Sequence, residues 1–381
     1  MILNSIKQME RLARGNSSII SLGQGIPAGR SHDHIRERVI EALQTSKDID
    51  RYSDPQGLSE LRSKISKSLQ EDGMRYGEQE ITVTAGAIEA LNSVLLTVVS
   101  PAKNEVIVPM PTYSAYERAV TLAKGKTIPV RLNEALGWRL DSADMVAVIS
   151  PKTAAVLLCN PNNPTGMIYD KQLLLELAVL AKQHGFLIIL DEVYGNMLYN
   201  DAEFYQLCTN DEYRQQVVRI VSFSKDFCLT GWRIGYMHTD ASLMQDVVPM
   251  HDTLVNCAPV ISQYAALAAL DIAAEIIAQN RTTYNARRGA MKRYLDALPD
   301  ALTYKEPEGG YFYFPLLPAG YDAFDYCNHL ANKHEVIAIP GDDFGIGGSG
   351  HIRLCFGRST RAIHEGMQKL KRCMDTACYN K

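Results

Sequence analysis

Between about residue 80 and residue 240 the chain alternates short apolar runs with longer helical patterns, and this alternation constrains its fold most strongly. Seven runs rich in Val and Ile predict strands: EITVTAG, NEVIVPMP, KGKTIPVRL, AAVLLCNP, GFLIILDEVY, VRIVSFS and RIGYMHT. Helical stretches such as IEALNSVLLTVV and KQLLLELAVLAKQHG lie between several of them, and Gly185 ends the second. Near-continuous apolar strands separated by helices are typical of βαβ units. The sequence therefore predicts an α/β fold with a mostly parallel, seven-stranded sheet covered by helices.

The two ends of the chain have a different pattern, which predicts a smaller α+β domain. Residues 262–295 are expected to form a long helix, followed by hairpin-like segments and the amphipathic helix IHEGMQKLKRCM. Apolar residues near the N-terminus recur at helical spacing and predict a short amphipathic arm: Ile2, Ile6, Met9 and Leu12. We expect a large cofactor-binding domain over residues 46–279 and a small domain formed by residues 1–45 and 280–381.

Composition and charge exclude several classes of protein. A net charge of −4 over 381 residues, without a basic stripe, argues against a nucleic-acid binder. No apolar run approaches the ~20 residues that span a bilayer, and the N-terminus lacks the apolar region of a secretory signal. The eight cysteines are dispersed without a CxxC pair, which is typical of reduced thiols in the cytoplasm. We therefore expect a cytoplasmic protein that acts on small molecules.

Polar side chains follow the predicted strands at the sheet edge where open parallel sheets bind ligands. These residues are Asn163, Asp191, Tyr194, Ser222, Ser224, Lys225 and Arg233, and Gly86 and Ala87 begin a helix beside them. Together they suit a planar, cationic heterocycle that carries a phosphate and an aldehyde. A helix N-terminus offers backbone N–H groups to a phosphate, and an arginine fork matches phosphate oxygens.

The remaining residues of this edge suit the heterocycle itself. A buried Asp191 needs a partner such as a protonated ring nitrogen. Lys225 is able to form a Schiff base with the aldehyde, because a desolvated lysine loses its proton readily. Asn163 and Tyr194 are expected to hydrogen-bond the ring hydroxyl, while Ser222 and Ser224 contribute to the phosphate cup.

The order of the segments resembles that of the fold type I pyridoxal-phosphate enzymes, specifically the class I/II aminotransferase superfamily with its aspartate, aromatic and kynurenine aminotransferases. The segments that carry the resemblance are SLGQGIP, RYSDPQGLSELR, TAGAIEAL, PMPTYSAYE, NPNNPTG, DEVY, SFSKDFCLTGWRIGY and HIRLCFG. The resemblance implies an aminotransferase with pyridoxal 5′-phosphate as cofactor, which moves an amino group from an L-amino acid to a 2-keto acid by a ping-pong mechanism. Lys225 then matches the Schiff-base lysine, which also removes and returns the substrate proton.

The same resemblance implies roles for residues outside the strand ends. Tyr113 matches the aromatic residue that stacks on the cofactor ring. Tyr52 matches the tyrosine that reaches the phosphate of the neighbouring subunit, which implies a homodimer with composite sites. Arg353 matches the arginine that clamps the substrate α-carboxylate. Gly25 and Ile26, with Asn163, are expected beside that carboxylate.

Substrate choice and reaction type remain open at this stage. Arg30 is a candidate for recognising a substrate side chain, although a solvent-facing arginine before a helix is an equal alternative. A C–S β-lyase or a cyclising enzyme of the same fold would share every cofactor residue. A regulator with this fold would need an additional DNA-binding module, and no basic helix-turn-helix segment is left over.

Three further patterns are interpreted as ordinary structure. The sequence from Gly345 to Gly350 satisfies GxGxxG, but it runs into a predicted strand rather than a helix, so a dinucleotide site is not expected. His32 and His34 lack a third metal ligand, and so do His329 and His334. We therefore expect no metal site.

Overall fold

The computed structural model describes residues 5–13, 16, 18–298 and 302–375. The strands are β1 Ile20–Ser21, β2 Ile81–Thr84, β3 Glu105–Met110, β4 Lys126–Arg131, β5 Thr153–Cys159, β6 Leu187–Asp191, β7 Val217–Ser222, β8 Gly235–His238, β9 Phe312–Tyr313, β10 Val336–Ile337, β11 Ile339–Pro340 and β12 Ile352–Cys355. The α-helices are α1 Ser5–Ala13, α2 Asp33–Thr45, α3 Ser59–Glu71, α4 Ala87–Val98, α5 Ala115–Leu122, α6 Ser142–Val148, α7 Lys171–His184, α8 Phe223–Asp226, α9 Ala241–Val255, α10 Val260–Asp271, α11 Ala273–Asp296, α12 Ala323–His334 and α13 Thr360–Asp375. Short 3-10 helices lie at Glu78–Glu80, Leu207–Thr209, Asp211–Gln216, Thr230–Trp232 and Gly341–Phe344.

A seven-stranded sheet confirms the predicted fold class. Its strand order is β2-β8-β7-β6-β5-β3-β4, and only β8 runs antiparallel to its neighbours. Each of the seven apolar runs supplies one of these strands. The mostly parallel arrangement follows from the helices that connect successive strands.

Both faces of the sheet are buried except at the edge strand β4, which explains why the other six strands are apolar without alternation. Every residue of β5 is buried. Val156 and Leu158 belong to the core on one face, whereas Ala155, Leu157 and Cys159 belong to the core on the other. Because successive side chains of a strand point to opposite faces, both sets have to be apolar.

The helical region at 262–295 differs from the prediction, because it is two helices rather than one. The helix breaks at Ile272, whose backbone angles are φ −121° and ψ 18°, and α10 and α11 meet at 78°. Helix α10 packs against α2 and α3, whereas α11 packs against α13. No Gly or Pro marks the break in the sequence; the two halves bury their apolar faces against different partners.

Among the described residues no single helix is long and apolar enough to cross a membrane. The bent pair of α10 and α11 meets that criterion jointly, by length and composition only.

Short strands from both ends of the chain form the rest of the structure. Strand β1 pairs in parallel with β10, and β11, β12 and β9 form an antiparallel sheet. Helix α1 packs against β1, β10, β11 and α12, with Met9 buried. Ile2, the first apolar position of the predicted arm, lies outside the described residues. The division at residues 45 and 279 stays a prediction.

Candidate active site

A cavity of about 450 Å³ lies beyond the carboxyl ends of the central strands. Residues predicted from the sequence form much of its wall: Gly25, Ile26, Ala87, Tyr113, Asn163, Asp191, Tyr194, Ser222, Ser224, Lys225, Arg233 and Arg353. Residues that the sequence did not single out complete the lining: Lys7, Gln24, Ile88, Leu91, Tyr116, Cys159, Val193, Thr230, Gly231 and Phe312. This concave arrangement, apolar with converging polar groups, is typical of a small-molecule site.

One end of the cavity is built by three adjacent strands, β2, β8 and β7. Thr84 pairs with Gly235, which pairs in turn with Ser222, so the segments that leave these strands lie side by side. Helix α4 begins at Ala87, with Gly86 at its N-cap. Ser222 is the N-cap of α8, and its Oγ accepts a hydrogen bond from the Ser224 N–H at 3.1 Å. The starts of two helices therefore meet at this end.

Gly86 and Arg233 fit closely against each other at the same end. Gly86 has φ +85°, and a Cβ at this position would lie 2.6 Å from Nη2 of Arg233. The guanidinium donates to the carbonyl of Thr230 at 3.0 Å, and its side chain remains exposed. A helix N-terminus beside an exposed guanidinium is a favourable site for a phosphate.

Asp191 ends β6 and is 7% exposed. Burial raises the pKa of its carboxyl group to about 6, while hydrogen bonds from the Tyr116 hydroxyl and the Val193 N–H act in the opposite direction. The Tyr116 hydroxyl lies 2.7 Å from Oδ2. No basic side chain among the described residues lies within 4.0 Å of this carboxylate. Asp191 therefore offers a buried negative charge that a cationic ligand would stabilise.

Lys225 lies in the short helix α8 and projects toward the middle of the cavity. Its Nζ donates a hydrogen bond to the Gly25 carbonyl at 2.7 Å and lies 5.7 Å from the ring centre of Tyr194. Burial lowers the pKa of the ammonium group to about 8. A substantial fraction of the amine is then neutral close to physiological pH, as a nucleophile or a general base requires.

Arg353, on β12, is a buried guanidinium that faces the cavity and is 2% exposed. Nη1 donates to Oδ1 of Asn163 at 2.9 Å and Nη2 donates to the Gly23 carbonyl at 2.6 Å. Its carbon atom Cζ lies 4.4 Å from the ring centre of Phe312, and its Nε has no hydrogen-bond partner. Within the described part of the chain no carboxylate lies within 4.0 Å of it. A buried cation with an unused donor fits a carboxylate ligand.

A buried pair, Glu89 and His251, holds the start of α4 at the end of the cavity formed by β2, β8 and β7. Glu89 accepts hydrogen bonds from the Ala85 N–H at 3.0 Å and from Nδ1 of His251 at 2.9 Å. Nε2 of His251 lies 2.8 Å from the Pro55 carbonyl. Glu89 and His251 therefore connect the turn before α4 to the loop that carries Tyr52.

Comparison with known proteins shows which family this geometry belongs to. The family described as "Aminotransferase class I and II" matches residues 17–370. The Bacillus subtilis (strain 168) protein YugH is 32% identical over 372 residues, which cover 97% of this chain and 95% of the relative. An aromatic-amino-acid aminotransferase of Thermococcus litoralis is 28% identical over 376 residues, covering 97% and 95%. The solved structure of Thermus thermophilus aspartate aminotransferase with maleate superposes with a TM-score of 0.89 at 26% identity, covering 97% of this chain and 95% of that one.

The chain belongs to the class I and II aminotransferases. Members of this family depend on pyridoxal phosphate, and the chain is an aminotransferase by this membership. The predicted family is thereby confirmed over nearly the whole chain. The relatives include both aspartate and aromatic-amino-acid enzymes, so the family does not fix the amino acid that this aminotransferase uses.

Three residues that the sequence predicted are not in the wall of the cavity: Gly86, Tyr52 and Arg30. Gly86 is the N-cap of α4, directly before Ala87 of the wall. Tyr52 is 82% exposed on the surface of the aminotransferase. Arg30, the candidate for the substrate side chain, is exposed and pairs with Asp33 at 3.0 Å. Its position supports the alternative of a solvent-facing arginine before a helix, since α2 begins at Asp33.

Sequence reasoning missed Tyr116 and Lys7 among the lining residues. Tyr116 stands within the quoted segment PMPTYSAYE, three residues after Tyr113, and its N–H donates to the Tyr113 carbonyl at 3.1 Å, so this second tyrosine of the segment was a usable signal. Lys7 carried no such signal. It reaches the cavity because α1 packs against the short strands of the C-terminal region, a contact between distant parts of the chain.

The structure shows what the glycine-rich segment and the histidine pairs of the sequence form. The segment after Phe344 leads into β12 and packs against Met110 and Pro111, so the helix that a dinucleotide site requires is missing there. His32 caps α2. For His329 and His334 the prediction that a third ligand is lacking was wrong, because one ring nitrogen of each histidine and the Cys373 sulfur lie within 4.8 Å of one another. Burial, His329 and the positive charges of Arg372 and Lys369 lower the pKa of His334, and these charges oppose a metal ion; the absence of a metal site stays a prediction.

Proposed function

We propose that the aminotransferase binds pyridoxal 5′-phosphate in this cavity and moves an amino group from an L-amino acid to a 2-keto acid by a ping-pong mechanism. The observation that carries this proposal is the position of Lys225, whose amine has a lowered pKa and lies in one cavity with a buried anion, Asp191, and a buried cation, Arg353. The residues of the cavity fit pyridoxal phosphate, because each charged group of the cofactor has a counterpart of opposite charge among them.

The phosphate would lie at the start of α4, against the N–H groups of Gly86 and Ala87, with Ser222, Ser224 and Arg233 around it. Asp191 would hold the proton on the ring nitrogen. The amide nitrogen of Asn163 and the hydroxyl of Tyr194 would donate to the ring hydroxyl oxygen, since Oδ1 of Asn163 is already used by Arg353. Tyr113, which lines the cavity, would lie against the ring face.

When bound, pyridoxal phosphate supplies an electron sink that stabilises the carbanion of an amino acid. Arg353 binds the α-carboxylate and thereby orients the Cα–H bond. Lys225, as a neutral amine, would take the proton from the substrate Cα and return it to the C4′ carbon of the bound cofactor. Asp191 would remain ionised and keep the ring nitrogen protonated. The apolar wall around Lys225 keeps water away from the amine, which preserves its lowered pKa.

We also propose that the active unit is a homodimer to which Tyr52 contributes in trans. The exposure of Tyr52 and the anchoring of its loop through Pro55 and His251 support this arrangement. Mixing a Lys225→Ala chain with a Tyr52→Ala chain tests it: a heterodimer would contain one intact site, so activity should return to about a quarter of the wild-type value if chains mix randomly. If no activity returns on mixing, Tyr52 does not act across an interface.

A C–S lyase of the same fold is the second candidate, since it would use the same cofactor residues. Release of pyruvate and ammonia from a cysteine conjugate without a keto acid would favour it, whereas amino-group transfer that requires a keto acid favours the aminotransferase. A panel of amino donors and keto acceptors, followed by cofactor absorbance, separates the two.

We place the enzyme in the cytoplasm, because all seven cysteines of the described residues are free thiols.

A further inference from the structure

The hydroxyl of Tyr311 and the amine of Lys225 share one hydrogen-bond acceptor. The Gly25 carbonyl accepts from Nζ of Lys225 at 2.7 Å and from the Tyr311 hydroxyl at 2.8 Å. A carbonyl oxygen has two lone pairs, so both contacts form at once, but each donor weakens the negative potential that the oxygen offers to the other. The state of the Lys225 amine therefore depends on Tyr311, a residue to which the proposed function assigns no role.

Tyr311 lies between the Gly25 segment and the strand of Arg353. It precedes β9 and is fully buried, and its backbone carbonyl accepts from the Phe356 N–H at 2.9 Å, directly after β12. A Cβ on Gly25 would lie 2.8 Å from the Phe312 ring and 3.5 Å from the Tyr311 ring, so the Gly25 backbone packs against both. The Gly25 oxygen therefore has a fixed place relative to Arg353, and so has an amine that donates to it.

The Tyr311 hydroxyl keeps its proton over the pH range in which an enzyme works. Burial raises the pKa of this hydroxyl well above its usual value, and the neighbouring Tyr194 and Cys355 act in the same direction. A protonated phenol beside a carbonyl oxygen remains a donor to that oxygen. Tyr311 is thus a constant competitor for the acceptor that an ammonium group at Lys225 needs.

Other groups act on the Lys225 amine through space rather than through a shared atom. Burial is the largest cause that lowers the pKa of the amine, and the positive charges of Arg353 and Arg233 lower it further, whereas Cys355 and Asp191 raise it. Two tyrosine rings face the amine, with their centres at 5.7 Å and 5.9 Å: Tyr194 and Tyr311. A change at the Gly25 oxygen therefore acts on the amine without altering the surrounding charges.

We propose that Tyr311 is a positioning residue of the aminotransferase: its hydroxyl occupies one side of the Gly25 carbonyl oxygen, and thereby disfavours the ammonium form of Lys225 and keeps the neutral amine in place as the base. The inference rests on the proposed function, in which Lys225 takes the proton from the substrate. An ammonium group gains more from an acceptor than a neutral amine does, so competition by Tyr311 acts mainly against the charged form.

Acetylation of the full chain, freed of pyridoxal phosphate, tests the proposal, because acetic anhydride reacts with the neutral form of an amine. Peptide mass spectrometry follows the modification of Lys225 from about pH 6 to pH 10, with the exposed Lys152 as internal standard. The wild-type midpoint should lie near pH 8. Tyr311→Phe keeps the ring and removes the hydroxyl, so its midpoint should be higher by about half a pH unit, which corresponds to part of one hydrogen bond.

Tyr199→Phe is the matched control. The Tyr199 hydroxyl is also buried and donates to a backbone carbonyl, that of Gly310, at 2.7 Å. The Lys225 amine donates to a different carbonyl. Tyr199→Phe should therefore leave the Lys225 midpoint at its wild-type value, although both variants lose one buried hydrogen bond of the same kind.

The single-turnover half-reaction of the cofactor-loaded enzyme with an amino donor gives the second readout. At pH 7 Tyr311→Phe should react about threefold more slowly than the wild type, because the neutral fraction of the amine falls by that factor. Above about pH 10 the two rates should be equal, since the amine is then neutral in both. A merely structural role would slow the variant by the same factor at every pH.

An unchanged or lowered Lys225 midpoint in Tyr311→Phe would overturn the role of Tyr311 and leave the aminotransferase proposal intact. A shift of equal size in Tyr199→Phe would do the same, and so would slowing that does not depend on pH. If the midpoint rises in Tyr311→Phe but the wild type transfers no amino group from any donor, the proposed function is rejected, and with it the catalytic part of this inference.

Discussion

Replacing Lys225 with methionine should stabilise the protein when the cofactor has been removed, and the gain should depend on pH. Methionine, like lysine, has an unbranched side chain of similar volume, but it carries no charge. The Gly25 carbonyl would lose the lysine as a donor and keep the Tyr311 hydroxyl at 2.8 Å, so no buried acceptor is left unpaired. The substitution therefore isolates the cost of holding an ammonium group in this cavity.

The magnitude follows from the pKa of Lys225, which burial lowers from 10.5 to about 8. A difference of this size corresponds to about 3 kcal/mol between the charged and neutral amine. Loss of one hydrogen bond offsets about 1 kcal/mol, and partial exposure of the side chain screens some of the remainder. We expect Lys225→Met to raise the free energy of unfolding by about 2 kcal/mol at pH 7.

The sign of the pH dependence is fixed by the direction of the pKa change. Below pH 8 the amine is charged in both the folded and the unfolded chain, so the folded wild type bears the full cost. As pH rises from 8 to 10.5 the folded chain loses its proton first and the cost decreases. The stability gain of Lys225→Met should therefore be complete at pH 7 and absent above pH 10.5, where only the lost hydrogen bond remains and the variant should be less stable by about 1 kcal/mol.

Urea unfolding followed by tryptophan fluorescence measures this gain, at a fixed protein concentration because dissociation of the proposed dimer would contribute to the transition. Lys152→Met, a substitution of an exposed lysine, is the matched control and should change stability little at any pH. If Lys225→Met destabilises the protein at pH 7, or if its gain is the same at pH 7 and pH 10.5, the amine is not desolvated and the argument for its role as a base is refuted.

Three further substitutions test other parts of the site. Arg353→Lys should lower kcat/KM about a hundredfold without changing the cofactor absorbance, because a single ammonium replaces a two-pronged contact; an unchanged kcat/KM contradicts the carboxylate assignment. Gly86→Ala places an alanine at positive φ, and so does its control Gly137→Ala, at a cost of about 1 kcal/mol of stability each. Only the Cβ at Gly86 meets a neighbouring side chain, so only Gly86→Ala should weaken binding of pyridoxal phosphate in a fluorescence titration. Tyr116→Phe removes a hydrogen bond that lowers the pKa of Asp191, so the acid limb of cofactor binding should move to higher pH; an unmoved limb would show that Asp191 does not control binding.

The sheet was predictable because its strands other than the edge strand β4 are buried on both faces. That environment requires runs such as AAVLLC, and the polar residues that follow such runs meet at one edge by the geometry of parallel strands. The sequence predicts Asp191 and Lys225 in this way. The order of the motifs along the chain supplied the family.

What the sequence did not reveal depends on contacts between distant segments. The break at Ile272 has no Gly or Pro to mark it, because it results from α10 and α11 packing against different helices. Lys7 reaches the cavity only because α1 packs on β11, more than 300 residues away in the chain. The proposed role of Tyr52 depends on a second subunit. Local pattern contains no information about these contacts.

The most direct test of the account is a single-turnover half-reaction of the cofactor-loaded enzyme with an amino donor, followed by absorbance. The central claim is that Lys225 transfers the proton between Cα and C4′. Lys225→Ala, with its cofactor retained, should react at less than about one per cent of the wild-type rate, because no other described group in the cavity combines a lowered amine pKa with this position. A rate above about one per cent would contradict the assignment of Lys225 as the base.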